Sequence, residues 1–175
     1  MISHEAMSDT SDAKPPTLKP SFGAINSNNI NMLRKLNSVI FPVVYNDRFY
    51  SDILLTPEDF TMFAYFQGFV IGSVCCRIEP GEGGRKKLYI MTLGVLAAYR
   101  KRGVASQLLN KVISATKDHP EIYEVALHVQ TSNTDAIAFY TKHGFEQGEM
   151  LENYYKRIVP PHCYVLRLAL KGDGK

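Results

Sequence analysis

Three cations and two small residues stand together at the junction between a predicted strand and a predicted helix. The turn reads Arg100-Lys101-Arg102-Gly103-Val104-Ala105, and the helix begins at its end. The first N–H groups of a helix have no partner within the helix, and the helix dipole makes that end positive. Small residues also let an anion approach the backbone closely. The turn therefore predicts a pyrophosphate site, although an ordinary loop with solvated charges would show the same local pattern.

Composition narrows the classes of protein to which the chain can belong. Its 175 residues are 45% hydrophobic, which is typical of one globular domain. The net charge of +3 is too small to indicate nucleic-acid binding by itself. Cys75, Cys76 and Cys163 lack a C-x-x-C spacing, so we expect reduced thiols and no metal site. Because the sequence has neither an apolar run of membrane-spanning length nor a signal-peptide core, we expect a cytoplasmic protein, with nuclear access left open.

Apolar periodicity and turn residues predict a β-meander followed by alternating strands and helices. The predicted strands are 18–24, 61–66, 70–78, 87–95, 125–129 and 164–170. One helix is expected between its N-cap Ser27 and Pro42, and a second from its cap Asn46 to Leu55. Further helices are predicted over 104–117 and 134–143, the last ended by Gly144 in the left-handed conformation.

This order of elements indicates the α/β class with a mixed sheet. The polar residues 1–16 carry little to bury and are expected to be a disordered N-terminal tail. Residues 171–175 are likewise expected to be a flexible C-terminal tail. The folded domain is therefore predicted over 17–170.

A second block follows the turn, across one further predicted strand. Residues 133–145 match N-x-x-A-x-x-F-Y-x-x-x-G-F, and the turn matches R-x-x-G-x-A. In this order and separation, the two blocks resemble the signatures of the GNAT superfamily of N-acetyltransferases. The resemblance implies the acetyltransferase fold, whose mixed central sheet is splayed at the cofactor site and has flanking helices. It also implies acetyl-CoA as cofactor, with coenzyme A as product.

Nearly the whole predicted domain, from about Leu18 to Leu170, resembles one family of that superfamily, the NatE or San-type N-alpha-acetyltransferases. The segments that carry this resemblance are 36–43, 45–50, 88–94, 127–130 and 153–158. It implies acetyl transfer to the α-amine of protein N-termini that retain methionine, followed by a hydrophobic or other non-acidic residue. The implied reaction is direct attack in a ternary complex, with lysine ε-acetylation as a secondary activity.

The same resemblance implies partners. They are nascent or mature protein N-termini, the auxiliary and catalytic subunits of the NatA complex, and the ribosome. No direct contact with nucleic acid or a membrane is expected. Two alternatives stay open: a lysine or small-amine acetyltransferase on the same scaffold, and a non-catalytic adaptor of the NatA complex at the ribosome.

The implied cofactor site joins the end of a strand, the turn and the starts of two helices. Its residues are Leu93, Val95, Arg100, Lys101, Arg102, Gly103, Val104, Ala105, Ser106, Asn133 and Tyr140. Asn133 could cap its helix, bind the pantetheine arm, or do both. Tyr140 is expected near the thioester sulfur, where a phenol could stabilise or protonate the leaving thiolate.

Acetyl transfer to an amine needs a base, because an α-amine has a pKa of about 7.7–8.0 and is partly protonated at neutral pH. His128, with an ordinary pKa of about 6.5, suits this task. A buried histidine held by backbone bonds would fit the sequence equally well. The family resemblance favours the base, acting together with Tyr89 through an ordered water.

Two loops are expected to face each other and to form an apolar slot for methionine, with Met91 at its base. The predicted substrate-binding residues are Phe41, Pro42, Val43, Tyr45, Tyr89, Met91, His128, Tyr154, Tyr155 and Ile158. Tyrosine hydroxyls could bond the peptide backbone while their rings pack. Ordinary packing of loops on the core is the alternative. A substrate with an acidic first residue should fit poorly, because burying its unpaired carboxylate is costly.

Overall fold

A computed structural model describes residues 14–170 of this chain. The predicted tails at 1–16 and 171–175 lie outside these residues, apart from Lys14, Pro15 and Pro16. The predicted domain boundaries at 17 and 170 stay predictions.

Within residues 14–170, seven strands form one mixed sheet. The strands are β1 Ser21–Ala24, β2 Thr61–Phe66, β3 Phe69–Pro80, β4 Lys86–Val95, β5 Ile122–Gln130, β6 Glu146–Leu151 and β7 Cys163–Ala169. Their order across the sheet is β1-β2-β3-β4-β5-β7-β6. Every neighbouring pair is antiparallel except β4 and β5, which are parallel. The predicted α/β fold with a mixed sheet is confirmed.

In this described part of the chain, four α-helices cover the two faces of the sheet. They are α1 Ile30–Ile40, α2 Asp47–Leu55, α3 Val104–Ala115 and α4 Thr134–Lys142. Helices α1 and α2 bury Leu33, Phe49 and Ile53 in one core, whereas α3 contributes Leu108 and Leu109 to the other. Successive side chains of a strand alternate between faces, and Cys75 and Cys76 of β3 accordingly pack in different cores.

Several helix ends follow the turn chemistry predicted from the sequence. The Asn46 side chain accepts a hydrogen bond from the Phe49 N–H at 3.0 Å, which confirms the predicted cap. Gly144 follows α4 with φ +89°, as predicted for a left-handed cap. Ser27 as the cap of α1 is wrong, because Asn29 occupies that position. The Asn29 side chain bonds Ala24 O and Asn26 N instead, so it fixes the turn between β1 and α1.

Other elements also differ from prediction, among them two boundaries and one strand that was not predicted. Helix α3 ends at Ala115, and its predicted last residues continue as a tighter 3-10 turn. The first strand begins at Ser21 rather than Leu18, because the Leu18 N–H bonds Arg102 O and draws this segment towards the loop before α3. The edge strand β6 was not predicted, since its largely exposed, polar residues 146–151 give no alternation of apolar side chains.

The pairing of β4 with β5 is short and leaves a gap in the sheet. The two strands pair only from Lys86 to Tyr89 on β4 and from Ile122 to Ala126 on β5. Beyond these residues β4 stays with β3, and β5 stays with β7. The sheet therefore opens at the carboxyl ends of β4 and β5, as the splayed fold requires.

Candidate active site

A cavity of about 420 Å³ occupies the opening between β4 and β5. It extends to the loop between α1 and α2 on one side and to the loop before β7 on the other. The predicted site residues that line it are Phe41, Pro42, Val43, Tyr45, Met91, Leu93, Ala105, His128, Asn133, Tyr140, Tyr155 and Ile158. The structure thus brings predicted cofactor and substrate residues from distant parts of the chain to one cavity.

Other predicted residues lie outside the cavity wall. They are Tyr89, Val95, Arg100, Lys101, Arg102, Gly103, Val104, Ser106 and Tyr154. Sequence reasoning missed seven residues that do line the cavity: Ile90, Thr92, Leu127, Val129, Gln130, Ala136 and Phe139. Most of these flank a predicted residue on the same strand or helix. The alternation of side chains along one strand does not predict these residues. Where the sheet splits, successive residues of a strand line the cavity, whichever face of the sheet their side chains are on.

Tyr89 and His128 form a hydrogen-bonded pair although they are far apart in sequence. The Tyr89 hydroxyl lies 2.8 Å from His128 Nδ1. Parallel pairing places Tyr89 opposite Ala126, so His128, two residues further along β5, faces the same side of the sheet at the opening. The ring of Tyr154 stacks on the imidazole, with centroids 4.5 Å apart and an angle of 12°. Two tyrosines from different elements therefore hold the imidazole.

The pKa values of this pair are moved by burial. Desolvation lowers the pKa of His128, an effect that the nearby Glu79 opposes and the nearby Arg167 reinforces. Desolvation also raises the pKa of the Tyr89 phenol far above its usual range, with Tyr154 adding to the effect. At neutral pH the imidazole is therefore neutral and the phenol protonated. A neutral imidazole can accept a proton.

A β-bulge lies in β4 beside the opening, and sequence reasoning did not predict it. Cys75 of β3 pairs with Thr92, whereas the next residue, Cys76, pairs with Ile90. Met91 is the extra residue, and a bulged residue has no ladder partner. The bulge changes which face the following side chains of β4 meet, so that Leu93 packs in the same core as Ile90.

The loop before α3 has the backbone conformation that the predicted anion site needs. Lys101 has φ +59° and Gly103 has φ +78°, and α3 begins at the next residue, Val104. Arg100 Nε donates to Val95 O at 2.9 Å, and Arg102 Nε donates to Pro16 O at 3.1 Å. The unbonded N–H groups at the start of α3 form the positive end of the helix dipole. An anion would meet main-chain donors there.

Asn133 and Tyr140 line the cavity from α4. The Asn133 side chain accepts from the Ala136 N–H at 3.2 Å, so it caps the helix as predicted. Tyr140 is buried among the core residues, and desolvation raises the pKa of its phenol far above the usual range. The hydroxyl is therefore a proton donor at neutral pH.

Aromatic rings fix the loop between α1 and α2 against the sheet. Tyr45 stacks on Phe49 of α2, with ring centroids 4.2 Å apart, and burial raises the pKa of Tyr45 to about 12. Phe41 meets the edge of Tyr45, and its ring lies over Gly94 of β4. A Cβ atom on Gly94 would stand 2.7 Å from Phe41 Cζ. The glycine therefore lets this loop approach the strand.

Across residues 14–170, no group of three or more His, Cys, Asp or Glu side chains is placed to hold a metal ion. In the same part of the chain, no helix has the length and apolar character needed to cross a membrane.

Comparison with known proteins identifies the fold. The family model described as acetyltransferase (GNAT) family matches residues 30–145. N-alpha-acetyltransferase 50 of Danio rerio is 46% identical over 150 residues, which cover 86% of this chain and 88% of that protein. The Drosophila melanogaster protein named "Probable N-acetyltransferase san" is 43% identical over 149 residues, which cover 85% of this chain and 80% of that protein.

A solved structure supports the same assignment. Arabidopsis thaliana Naa50, in complex with the bisubstrate analogue CoA-Ac-MVNAL, matches with a TM-score of 0.81 and 42% identity, covering 87% of this chain and 100% of that chain. The two sequence blocks lie within or next to the residues that the family model matches, and the whole fold superposes on the Arabidopsis structure. The chain therefore belongs to the acetyltransferase (GNAT) family and is an N-alpha-acetyltransferase of the type represented by N-alpha-acetyltransferase 50 and san.

Proposed function

We propose that this enzyme acetylates the α-amine of protein N-termini that retain methionine, followed by a hydrophobic or other non-acidic residue. The observation that carries the proposal is the chemistry of the cavity wall. Of the described residues that line it, none is Lys, Arg, Asp or Glu. Phe41, Pro42, Val43, Met91 and Ile158 give it an apolar character suited to a methionine side chain. The analogue bound by the Arabidopsis relative begins with Met-Val in its peptide part, which supports the same substrate.

The acetyl donor is acetyl-CoA, and the residues at the opening fit it. Gly103 and Ala105 keep side chains away from the start of α3, where main-chain N–H groups suit a pyrophosphate. A Cβ atom on Gly103 would also crowd Thr17, 3.0 Å away. Leu93 and Asn133 line the adjoining cavity, where the pantetheine arm would lie. Acetyl-CoA supplies a thioester carbonyl that a neutral amine can attack directly.

His128 is proposed as the base for this attack. We assign the tautomer in which Nδ1–H donates to the Tyr89 oxygen, because this leaves Nε2 as the basic nitrogen. Nε2 takes the proton that the α-ammonium must lose, directly or through one ordered water. Tyr89 and the stacked Tyr154 hold the ring in position. Tyr155, which lines the cavity, is proposed to contact the acceptor, whereas Tyr154 lies outside the cavity wall and is proposed to act through the imidazole on which it stacks.

Tyr140 is proposed to act on the leaving group. Its phenol is protonated at neutral pH, because burial raises its pKa. A phenolic O–H at the cavity wall can stabilise a developing thiolate and deliver a proton to it. The amine nitrogen loses two protons in one turnover. His128 takes the first and later releases it to solvent, and the second, lost as the tetrahedral intermediate collapses, replaces the proton that Tyr140 gives to the thiolate.

The resemblance to NatE-type enzymes supports proposals for the partners and the cellular location. We propose association with the NatA subunits and the ribosome, and a cytoplasmic location with access to the nucleus. Lysine side chains are proposed as secondary acceptors. The Tyr89–His128 pair at the cavity favours a catalytic protein over a non-catalytic adaptor of NatA.

Acetylation of short peptides tests the acceptor. With acetyl-CoA, we expect a Met-Leu peptide to be acetylated with a higher kcat/KM than Ser-Ser or Met-Asp peptides of the same length. An apolar wall cannot pair the buried carboxylate of Met-Asp, which should cost several kcal/mol, about 10²-fold or more in kcat/KM. A preference for Ser-Ser, or equal rates on Met-Leu and Met-Asp, would contradict the proposal.

A further inference from the structure

The last carbonyl of β4 lies where the sheet has opened. Leu96 N–H donates to Ile71 O of β3 at 2.8 Å. A trans peptide places its C=O and N–H on opposite sides of the chain. The Val95 carbonyl therefore points away from β3, towards the gap that β5 has left. A carbonyl at this position has no partner strand, and buried carbonyls need a partner.

Arg100 supplies that partner. Its Nε–H donates to Val95 O at 2.9 Å in a partly buried bond that spans five residues. The bond joins the end of β4 to the loop before α3, and so fixes the position of this loop relative to the strand. A hydrogen bond of this kind needs an N–H donor at one position of the side chain. It does not need a positive charge.

The second arginine of the turn is also bonded to backbone. Arg102 Nε donates to Pro16 O at 3.1 Å, while the Arg102 carbonyl accepts from Leu18 N–H at 2.9 Å. Gln107 of α3 donates to Leu18 O at 2.8 Å and fixes the same segment. Two of the three cations of the turn thus use their Nε–H groups to hold the protein's own chain. Besides the Nη groups of both arginines and the Lys101 ammonium, an anion would meet the main-chain N–H groups at the start of α3.

We propose that Arg100 is a positioning residue, whose Nε–H rather than its charge holds the turn in the conformation that presents main-chain donors to the pyrophosphate. The inference rests on acetyl-CoA as donor and is independent of which amine is the acceptor. Its failure would appear in coenzyme A binding, whereas failure of the acceptor proposal would appear in the choice of peptide.

Three substitutions separate the donor from the charge. In Arg100→Gln, the amide nitrogen lies the same number of bonds from Cα as the arginine Nε, so the donor stays and the charge is lost. Arg100→Met has the same length without a donor. Arg100→Lys keeps the charge and moves the nitrogen one atom further out.

The test is coenzyme A affinity by calorimetry at several salt concentrations, with thermal unfolding as a check on folding. We expect Arg100→Gln to bind within threefold of wild type and with the same salt dependence. Arg100→Met should bind at least tenfold more weakly, about 1.4 kcal/mol. The KM for acetyl-CoA should rise in Arg100→Met while the KM for the peptide does not.

Two outcomes would overturn the proposal. Either Arg100→Gln binds as weakly as Arg100→Met, which would make the charge the important property, or Arg100→Met binds like wild type, which would make the bond unimportant. If Arg100→Met does not fold, the coenzyme A affinities of Arg100→Gln and Arg100→Lys are compared instead. Binding by Arg100→Gln at least as tight as by Arg100→Lys supports the donor, whereas binding tenfold weaker than Arg100→Lys refutes it.

Discussion

His128 combines three properties that a base for amine acetylation needs. It faces the cavity, it is held by a hydrogen bond to Tyr89 at 2.8 Å, and burial lowers its pKa. The sequence alone could suggest the residue type but not this pairing, because the two side chains are 39 residues apart. They meet only because β4 and β5 run parallel and separate just after Tyr89. The family resemblance indicated both residues, and the structure gives the physical reason why their side chains meet.

Replacing His128 by alanine is expected to lower kcat by at least about 10²-fold, the ordinary contribution of a positioned base. His119→Ala is the matched control, since His119 lies beside Asp59 and Phe60, away from the cavity. In wild type, kcat at saturating peptide should fall as pH decreases through the lowered pKa of His128, below its usual value of about 6.5. Above that pKa the imidazole is neutral, and its ionisation no longer changes kcat.

The measurement is a steady-state pH profile of wild type and both variants. The acid limb at the pKa of His128 should be kept in His119→Ala, whereas in His128→Ala kcat should instead follow the ionisation of the α-amine, whose pKa is about 7.7–8.0. An identical acid limb in wild type and His128→Ala, or near-wild-type turnover by His128→Ala, would remove His128 from proton transfer.

At the scale of elements, the loop between α1 and α2 approaches β4 only because Gly94 lacks a side chain. In Gly94→Ala, the new Cβ would stand 2.7 Å from Phe41 Cζ and 2.8 Å from Ile40 Cγ2, so the loop must move outwards. We expect the peptide KM to rise by about tenfold, or about 1.4 kcal/mol, within the usual range for overpacking. The affinity for coenzyme A should change much less.

Gly81→Ala is the matched control for that prediction. Its Cβ would stand 2.5 Å from the Tyr123 ring, at the opposite end of β4 from the opening. Both variants should lose stability in thermal unfolding, but only Gly94→Ala should show the higher peptide KM in steady-state kinetics. Equal effects of the two variants on peptide KM would show that the loop does not depend on Gly94.

Elements with a clear apolar pattern were predictable, and those without one were not. The helices α2 and α4 were predicted with their caps, because Asn46 and Gly144 carry local chemistry that needs no tertiary context. Strand β6 has nearly all its side chains exposed and is held by pairing with β7, which no local pattern reveals. The bulge at Met91 depends in the same way on the neighbouring strand β3.

At the scale of the whole molecule, an ion pair joins the edge strand β6 to its neighbour β7, and the strength of this ion pair depends on pH. Arg167 of β7 donates two hydrogen bonds to Glu149 of β6, both at 2.9 Å. Hydrogen bonding to Arg167 is the main cause that lowers the pKa of Glu149 to about 2. A depressed carboxylate pKa contributes stability above the unfolded-state pKa, and that contribution is lost as pH falls through the folded value.

We therefore expect Glu149→Gln to have a slightly lower Tm than wild type near neutral pH, a difference that shrinks between pH 4.5 and 2. The pair is largely exposed, so the effect should also weaken in high salt. Glu146→Gln on the same strand is the matched control, because Arg167 is bonded to Glu149 and lies near Glu124. A Tm difference that is constant with pH, or equal in both variants, would show that the Glu149 charge does not stabilise this edge.

Acetyl transfer to a methionine α-amine is proposed to depend on the whole molecule. It is tested most directly by incubating the enzyme with acetyl-CoA and one Met-Leu peptide that also contains an internal lysine, and by locating the acetyl group with tandem mass spectrometry. We predict that the α-amine of the first methionine is acetylated first and that blocking it leaves only slow lysine modification. Acetylation of the lysine alone, or an undiminished rate on the blocked peptide, would contradict the claim.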